Sequence, residues 1–511
     1  MKRGAFSLQN IFYIYRRFII KNEELKMKKI LLVNSNTEGA PYPVSPLGLC
    51  MVATAAGKAG YEVKVFDGLW DKKYREEPEN PDTLTNVLND FQPDVIGVSI
   101  RNIDDVVMEL SVYYVDEIER LCIDPIKKYK KGITVLGGAG YSLFPEELLE
   151  RWQFDFGVVG PGEETFVRLL KSLEDGAPPD NIQGVLLRNQ DEKIVGSQEI
   201  NLPKKKTILR VPDPRIDTHL NYEPYLSRSA YPIQTKRGCA LKCLYCSYPV
   251  LEGKTYQLRS AKDVVNEMES VLERIPDVVF EFVDSTFNHP PKHAENICRE
   301  LIDRGLSLRM RTMGVNPSGV TPELIALMRK AGFTQIDCTP DSASDKMLKN
   351  LRKGFNRKKL EQTARLLKEA EMPTMWFFVL GGPGETDETL EETFDFIHRF
   401  IDERDLVYLT EGLRIYPKTG LAKTALREGV IKKDESLLTP HFYVSQMLGQ
   451  KGLAARVKAF TAKHHNCLRS VESTPSPEMV QKAIEIRKRE NLMHEPMFRT
   501  LLRVRKEGFY N

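Results

Sequence analysis

The sequence predicts an α/β protein: an N-terminal doubly wound sheet of the Rossmann or flavodoxin-like type, then a partial (β/α)6 TIM barrel, then a helical C-terminal region. Three observations predict it. Short β-branched runs alternate with longer amphipathic stretches over two separate spans, the pattern of parallel sheets covered by helices. A proline-bearing basic stretch lies between those spans. At 511 residues, the chain is also longer than one ordinary core accommodates.

In the first span, residues 30–34, 61–67, 95–99, 133–137 and 156–159 are the expected strands, and residues 48–59 an apolar helix. Residues 196–230, with lysines at 204–206 and Val211-Pro-Asp-Pro, read as an irregular linker. The second span offers strands at 232–236, 279–283, 307–313, 335–338, 374–380 and 406–415, with helices between them such as 261–273 and 322–331. About six β/α units fall short of the eight-fold form and predict a barrel open on one side. No strand is evident beyond about residue 430, and residues 475–511 read as helical and basic. The expected domains are a leader at 1–27, the doubly wound domain at 28–195, the linker at 196–230, the barrel at 231–430 and a helical region at 431–511.

Lysine plus arginine (74) nearly balance aspartate plus glutamate (71), so no long-range field favours nucleic acid as a partner. No apolar run has the length of a membrane span. Residues 12–20 are apolar but interrupted by Arg16 and Arg17; they read as a disordered leader, with a membrane-surface helix and peripheral membrane contact as the alternative. Eight cysteines without a secretory signal predict reduced thiols and a cytoplasmic location.

Three of those cysteines fall within eight residues of each other, in Cys239-Ala-Leu-Lys-Cys243-Leu-Tyr-Cys246. The motif follows the first barrel strand, at its carboxyl end. Thiolates are the ligands of iron–sulfur clusters, and three of them leave one iron of a cube open. Structural zinc commonly takes four ligands, and His289 and His293, the nearest candidates, lie more than forty residues on.

This C-x3-C-x2-C spacing, with the aromatic Tyr245 before the third cysteine, resembles the hallmark of the radical S-adenosylmethionine (SAM) superfamily. The resemblance implies a 4Fe–4S cluster on Cys239, Cys243 and Cys246 whose open iron is chelated by SAM, which is cleaved to methionine and a 5′-deoxyadenosyl radical. It also implies SAM contacts elsewhere in the barrel. Asp284 is the expected ligand of the SAM amine, with Ser285 and Thr286 beside it, in Phe282-Val-Asp-Ser-Thr-Phe-Asn288. Leu380-Gly-Gly-Pro-Gly-Glu-Thr386 offers Gly381, Gly382, Gly384 and Glu385, whose exposed N–H groups would face a carboxylate or ribose. Tyr416, in Arg414-Ile-Tyr-Pro-Lys-Thr-Gly420, would border the adenine. Arg311, placed at the third strand's end, would meet the SAM carboxylate or form a surface ion pair. Cys338 would face the cavity as a hydrogen donor, or be a small buried hydrophobe.

The first span is similar to the cobalamin-binding domain fused to a large radical SAM class, on Ile30-Leu-Leu-Val-Asn34, Pro46-Leu-Gly48, Pro93-Asp-Val-Ile-Gly-Val-Ser99, Gly137-Gly-Ala-Gly140 and Gly160-Pro-Gly-Glu-Glu164. That similarity puts cobalamin on the sheet's carboxyl edge, against Asn34, Ser99, Arg101, Gly137 and Gly138; the plainer role of the loop after Ser99 is to cap a helix. One departure matters: no histidine stands between Lys28 and Asp217, so the cobalt-ligating Asp-x-His-x-x-Gly signature is missing, as in other radical SAM relatives. An empty flavodoxin-like domain is the alternative.

The whole resemblance implies a cobalamin-dependent radical SAM methyltransferase of the class B kind, methylating an unactivated carbon of a small-molecule or lipid-like substrate. An electron donor such as flavodoxin or ferredoxin would serve it. The first alternative is an oxidative cyclase of the anaerobic tetrapyrrole cyclase type; the second is a non-catalytic iron–sulfur scaffold or sensor.

Overall fold

The computed structural model describes residues 27–39, 42–70, 83–189, 191–200, 202–203, 205–226, 228–492 and 494–508. The proposed leader helix at 12–20 lies outside the described residues. Among those described, no helix is long and apolar enough to cross a membrane.

The first sheet is built from β1 (Lys29–Asn34), β2 (Glu62–Asp67), β3 (Val95–Ser99), β4 (Ile133–Gly137), β5 (Phe156–Val158), β6 (Val185–Arg188) and β7 (Ile194–Gly196), in the order β2-β1-β3-β4-β5-β6-β7. Strands β1 to β5 are parallel, and β6 and β7 add an antiparallel hairpin at one edge. The continuous apolar run of β1 follows from burial on both faces. Leu31 and Val33 join one core with Ile96, Val98 and Trp152, while Ile30 and Leu32 join another with Leu49, Phe166 and Leu169.

The crossing between the sheets is more ordered than an irregular linker. It carries β8 (Thr207–Ile208) and two short helices, Ile216–His219 and Glu223–Leu226. Tyr222 and Tyr225 stack there and are buried in the core of the second sheet.

Next come β9 (Tyr231–Ile233), β10 (Lys236–Arg237), β11 (Gln257–Leu258), β12 (Val279–Phe282), β13 (Arg309–Val315), β14 (Phe333–Asp341), β15 (Thr374–Leu380), β16 (Leu406–Glu411), β17 (Leu413–Arg414), β18 (Phe442–Tyr443) and β19 (Cys467–Arg469). The barrel sheet runs β19-β16-β15-β14-β13-β12-β9, all parallel. Two expectations are corrected here. The region beyond residue 430 does contain strands: β19 is the seventh of this sheet, and β18 pairs with β17. The stretch 406–415 is two strands, because Gly412 turns the chain with a φ of 74°.

Side chains alternate across a strand. Phe280, Met310, Ile336, Cys338, Trp376, Phe378, Val407 and Leu409 point to the helices and share one large core. The opposite parity, from Glu281 through Arg311, Asp337, Met375 and Phe377 to Tyr408, faces the barrel interior. The helix Met497–Lys506 covers that interior from one end, where Phe498 and Leu502 pack on Leu406, Leu468, Met375 and Tyr408.

The carboxyl ends of the two sheets meet. Arg414 Nε donates to Asp104 Oδ2 at 2.8 Å, with both side chains buried. Tyr225 Oη donates to Asp67 Oδ2 at 2.6 Å, Arg237 pairs with Glu163, and Arg469 bridges Glu109 and Glu411.

Candidate active site

The cysteine loop is held from both sides. Gly238 takes a φ of +83°, and a Cβ there would sit 2.0 Å from the Thr255 carbonyl, so only glycine fits before Cys239. Cys239 N donates to Gly253 O at 3.0 Å and Leu244 N to Leu351 O at 3.0 Å. Cys239 is buried, while Cys243 and Cys246 are partly open. Burial raises the Cys243 thiol and pushes that of Cys246 up to about 12; Cys239 raises both further, and Lys353 pulls both down. Among the described residues no three His, Cys, Asp or Glu side chains close around a single ion. The remaining cysteines, Cys50, Cys122, Cys298, Cys338 and Cys467, are buried elsewhere. A donor set of three thiols on one loop, each within electrostatic range of another, fits a cube with one open iron.

Sequence reading missed the cation behind this loop. Lys353 Nζ lies 2.7 Å from Asp341 Oδ2, each side chain only 3% exposed, and Tyr245 Oη donates to the same carboxylate. The aromatic before the third cysteine is thereby tied to the end of β14. The helix Gly420–Arg427 docks on the loop through Leu421 N, which donates to Leu244 O at 2.8 Å. Tyr416, just upstream, is half-buried in the apolar cluster that includes Leu244 and Tyr245, with the Arg414 guanidinium 4.9 Å from its ring centroid.

Several expected SAM contacts have other partners. Asp284 is 3% exposed. Its Oδ1 accepts from Thr235 N (2.7 Å) and Lys236 N (3.1 Å), and its Oδ2 from Thr235 Oγ1 (2.6 Å), with Lys236 Nζ at 3.5 Å. The carboxylate is filled by the segment leading into the cysteine loop, so Asp284 braces that loop. Ser285 and Thr286 do lie beside it: Ser285 Oγ donates to Gly238 O at 3.3 Å, and Thr286 Oγ1 is 4.0 Å from Cys239 Sγ.

The glycine loop is likewise self-contained. Gly381 and Gly382 are buried, and both N–H groups donate to Glu385 Oε2. Gly384, at φ +80°, turns the chain so that Glu385 reaches back; its N–H groups are therefore not offered to a ligand. Burial raises the Glu385 carboxyl to about 7 against those two hydrogen bonds.

Cys338 does not face the cavity. It is fully buried on the helix side of β14, beside Ile336 and Trp376 in the core, and burial pushes its thiol up. Arg311 is the third of seven residues in β13, not its end. It projects into the barrel interior, where its Nε is 2.6 Å from Glu281 Oε1.

At the edge of the first sheet, Asn34 is buried and its Nδ2 donates to Asp67 Oδ1 at 2.8 Å, so its side chain is turned inward, away from any cofactor. Ser99 is half-buried, with its carbonyl accepting from Ser35 Oγ. Arg101 is exposed, and its charge acts on Tyr42, Tyr114 and Tyr248; Tyr248 stands two residues after Cys246. Gly138 has a φ of +99°, and a Cβ on it would strike the Ile100 carbonyl at 2.5 Å, whereas a Cβ on Gly137 would meet nothing closer than 3.8 Å. The edge is thus bare of large side chains at Gly137 and Gly138 and opens toward the barrel. It fits a broad cofactor gripped by backbone and rim, with no histidine ligand.

A cavity of about 940 Å³ lies on the outer side of the cysteine loop, lined by Leu241, Lys242, Lys349, Arg352, Phe355 and Lys359 among others. Among the described residues, none of the first sheet's half lines it.

Comparison with known proteins matches this geometry to two families: the Radical SAM superfamily over residues 233–397 and the B12 binding domain over residues 36–170. The chain thus carries a radical SAM domain preceded by a B12-binding domain. These families bring a 4Fe–4S cluster, SAM and cobalamin as cofactors. The chain is 25% identical over 473 residues to cytidylyl-2-hydroxyethylphosphonate methyltransferase of Streptomyces wedmorensis, covering 82% of this chain and 85% of the relative. It is 26% identical over 462 residues to tryptophan 2-C-methyltransferase of Streptomyces laurentii, covering 78% and 75%. The radical S-adenosylmethionine methyltransferase TsrM from Kitasatospora setae, solved with cobalamin and a [4Fe-4S] cluster bound, shares the fold with a TM-score of 0.73 at 23% identity, covering 94% of this chain and 100% of that one.

Proposed function

We propose that this protein is a cobalamin-dependent radical SAM enzyme that methylates an unactivated carbon of a small molecule. The observation that carries the reading is the opposition of two edges. The helix that follows the three-thiol loop, Tyr248–Leu251, packs on the helix Ala139–Leu143 that follows the bare Gly137–Gly138 edge, and the ion pairs Asp104–Arg414 and Arg237–Glu163 join the two halves. When bound, the cluster and SAM supply a carbon-centred radical and cobalamin a transferable methyl group; the hard chemistry belongs to the cofactors.

The chain's own residues bind, orient and shield. Cys239, Cys243 and Cys246 hold the cluster, and Lys353, paired with Asp341, offsets the negative charge of their thiolates. Asp284 fixes the strand end that launches the loop, and Glu385 rigidifies the glycine turn opposite. Ser285, Thr286 and Tyr416 are the side chains that would border SAM, and Ser99, Arg101, Gly137 and Gly138 those that would meet cobalamin. The buried pair Asp104–Arg414 holds the seam between the two sheets, and Arg469–Glu109 joins them at its more exposed rim.

Protein made anaerobically with cobalamin supplied should show bound corrin bands, and after reconstitution should form 5′-deoxyadenosine from SAM and a reductant. Cys243→Ala should keep the corrin bands and lose SAM cleavage. A Cys243→Ala protein that still cleaves SAM sinks the cluster assignment, and a corrin-free wild type sinks cobalamin.

Electrons enter, on this reading, through the outer side of the cysteine loop, in the cytoplasm. Lys242, Lys349 and Arg352 are exposed there without an ion-pair partner among the described residues, a cationic surface suited to an acidic carrier of the flavodoxin or ferredoxin class. Lys349→Glu with Arg352→Glu should slow cluster reduction by reduced flavodoxin about tenfold or more at low salt, while titanium(III) citrate reduces both proteins alike. Equal rates with flavodoxin would discard this docking face.

A further inference from the structure

The barrel interior holds a layer of charge that the cofactor sites leave unused. Glu281 on β12, Arg311 on β13 and Gln335 on β14 are register neighbours across adjacent parallel strands, so their side chains emerge on one face at one level. Arg311 Nε lies 2.6 Å from Glu281 Oε1 but without the alignment of a hydrogen bond, and Arg311 Nη2 is buried with no acceptor among the described residues. Gln335 Nε2 donates to Asp337 Oδ1 at 3.0 Å. Tyr42, from the first sheet's half, lays its ring 5.1 Å from the guanidinium of Arg311. Burial raises the Asp337 carboxyl to about 7, with Glu281 raising it further and Arg311 opposing.

An ion pair serving packing alone would satisfy its own donors. A buried donor left unpaired costs about 1–3 kcal/mol, and such groups call for an explanation. The Arg311 side chain also keeps 24% of its surface and Glu281 9%, so the pair leaves part of its surface open to the space inside the barrel. Beneath that space, Phe498 and Leu502 make an apolar floor. Above it lie the strand ends and the cysteine loop. The layer is displaced from the cluster: β13 runs four residues beyond Arg311 to Val315, roughly 13 Å of extended strand. SAM bound at a cluster on Cys239, Cys243 and Cys246 would be held at the strand ends, at the level of that loop, and not at this layer.

We infer that this layer is the substrate's recognition site: the Arg311 guanidinium takes a carboxylate or phosphonate-type oxyanion of the substrate, and Asp337 takes a neighbouring N–H or O–H donor. The substrate is then a polar, anionic small molecule rather than a lipid. The word substrate rests on the methyl-transfer reading; the anion site itself does not.

The test is equilibrium binding to the cofactor-reconstituted full chain, with SAM present, of four probes: acetate, glycine, methylphosphonate and the apolar octanol. Acetate or methylphosphonate should bind saturably at about 10 mM or below, the stronger of the two naming the oxyanion, and octanol should not compete. Arg311→Met should weaken that binding about tenfold or more, Arg311→Lys less, and SAM affinity should be unchanged in both. Should Arg311→Met fail to fold, Asp337→Asn serves: it should weaken glycine and leave acetate unchanged. Failure of both anions to bind, or binding unaffected by these variants, overturns the inference. Loss of SAM affinity in Arg311→Met also overturns it, by giving the site to the SAM carboxylate. Anion binding without methyl transfer would refute the proposed reaction and leave this site standing.

Discussion

The buried pair Lys353–Asp341 decides whether the cysteine loop is poised for a cluster. Removing one partner of such a pair strands the other charge and costs about 3–5 kcal/mol. Lys353→Met should therefore lower Tm and reduce the iron bound after reconstitution; unchanged iron content would show that the lysine is dispensable to the site. Glu385 gives a second test, with a defined sign. Its folded pKa of about 7 lies above the ordinary glutamate value of about 4.3. The folded state thus holds the proton over that window, and the group's contribution to stability falls as pH rises from about 4.3 to 7. Glu385→Gln keeps an acceptor for Gly381 and Gly382 without the buried charge. Its Tm should exceed the wild type's at pH 8, and the advantage should shrink steadily toward pH 5 and vanish only below about pH 4.3; a constant difference across that range would contradict the buried-charge account.

At the scale of elements, the C-terminal helix Met497–Lys506 is part of the barrel, not an appendage. Leu502→Ala should cost about 2–5 kcal/mol, as truncations of buried leucine do, seen as a loss of Tm; a surface-like change of under about 0.5 kcal/mol would mean that the helix does not pack on Leu406 and Leu468. That helix was legible in the sequence, and so were β3, β4 and β15, whose bounds coincide with their apolar runs. Strand β19 was not, because three residues beside a histidine pair carry no periodic signal. The break at Gly412 was read through, because strand-forming residues stand on both sides of it, Leu406–Thr410 before and Leu413–Ile415 after. Motif spacing found the cysteine loop but not what its neighbours bind: Asp284, Glu385 and Asn34 were read as free to meet ligands, and each is engaged by protein partners close in space, Glu385 through Oε2 alone. One signal was present and unread. Glu281, Arg311 and Asp337 are charges in the middle of apolar barrel strands, at the parity opposite to the core residues.

Over the whole molecule, function depends on two sheets presenting their carboxyl ends to each other. The seam is polar and buried, so it is specific in register and intolerant of one-sided change. Arg414→Met leaves Asp104 unpaired and removes donors from the carbonyls of Leu437 and Leu438. Amide exchange in residues 100–114 should accelerate in that variant, and cobalamin should be retained less well through anaerobic gel filtration. Unchanged exchange would mean that the two halves are held without this contact.

The most direct test of the account is anaerobic turnover of the full chain, reconstituted with cluster and cobalamin and given SAM bearing a deuterated methyl group, a reductant and a metabolite extract, with products resolved by mass. The account predicts 5′-deoxyadenosine together with a product carrying the deuterated methyl, both absent in Cys243→Ala. A product that has lost hydrogen or gained oxygen, formed with 5′-deoxyadenosine but without deuterium, would contradict methyl transfer and return the protein to the oxidative cyclases.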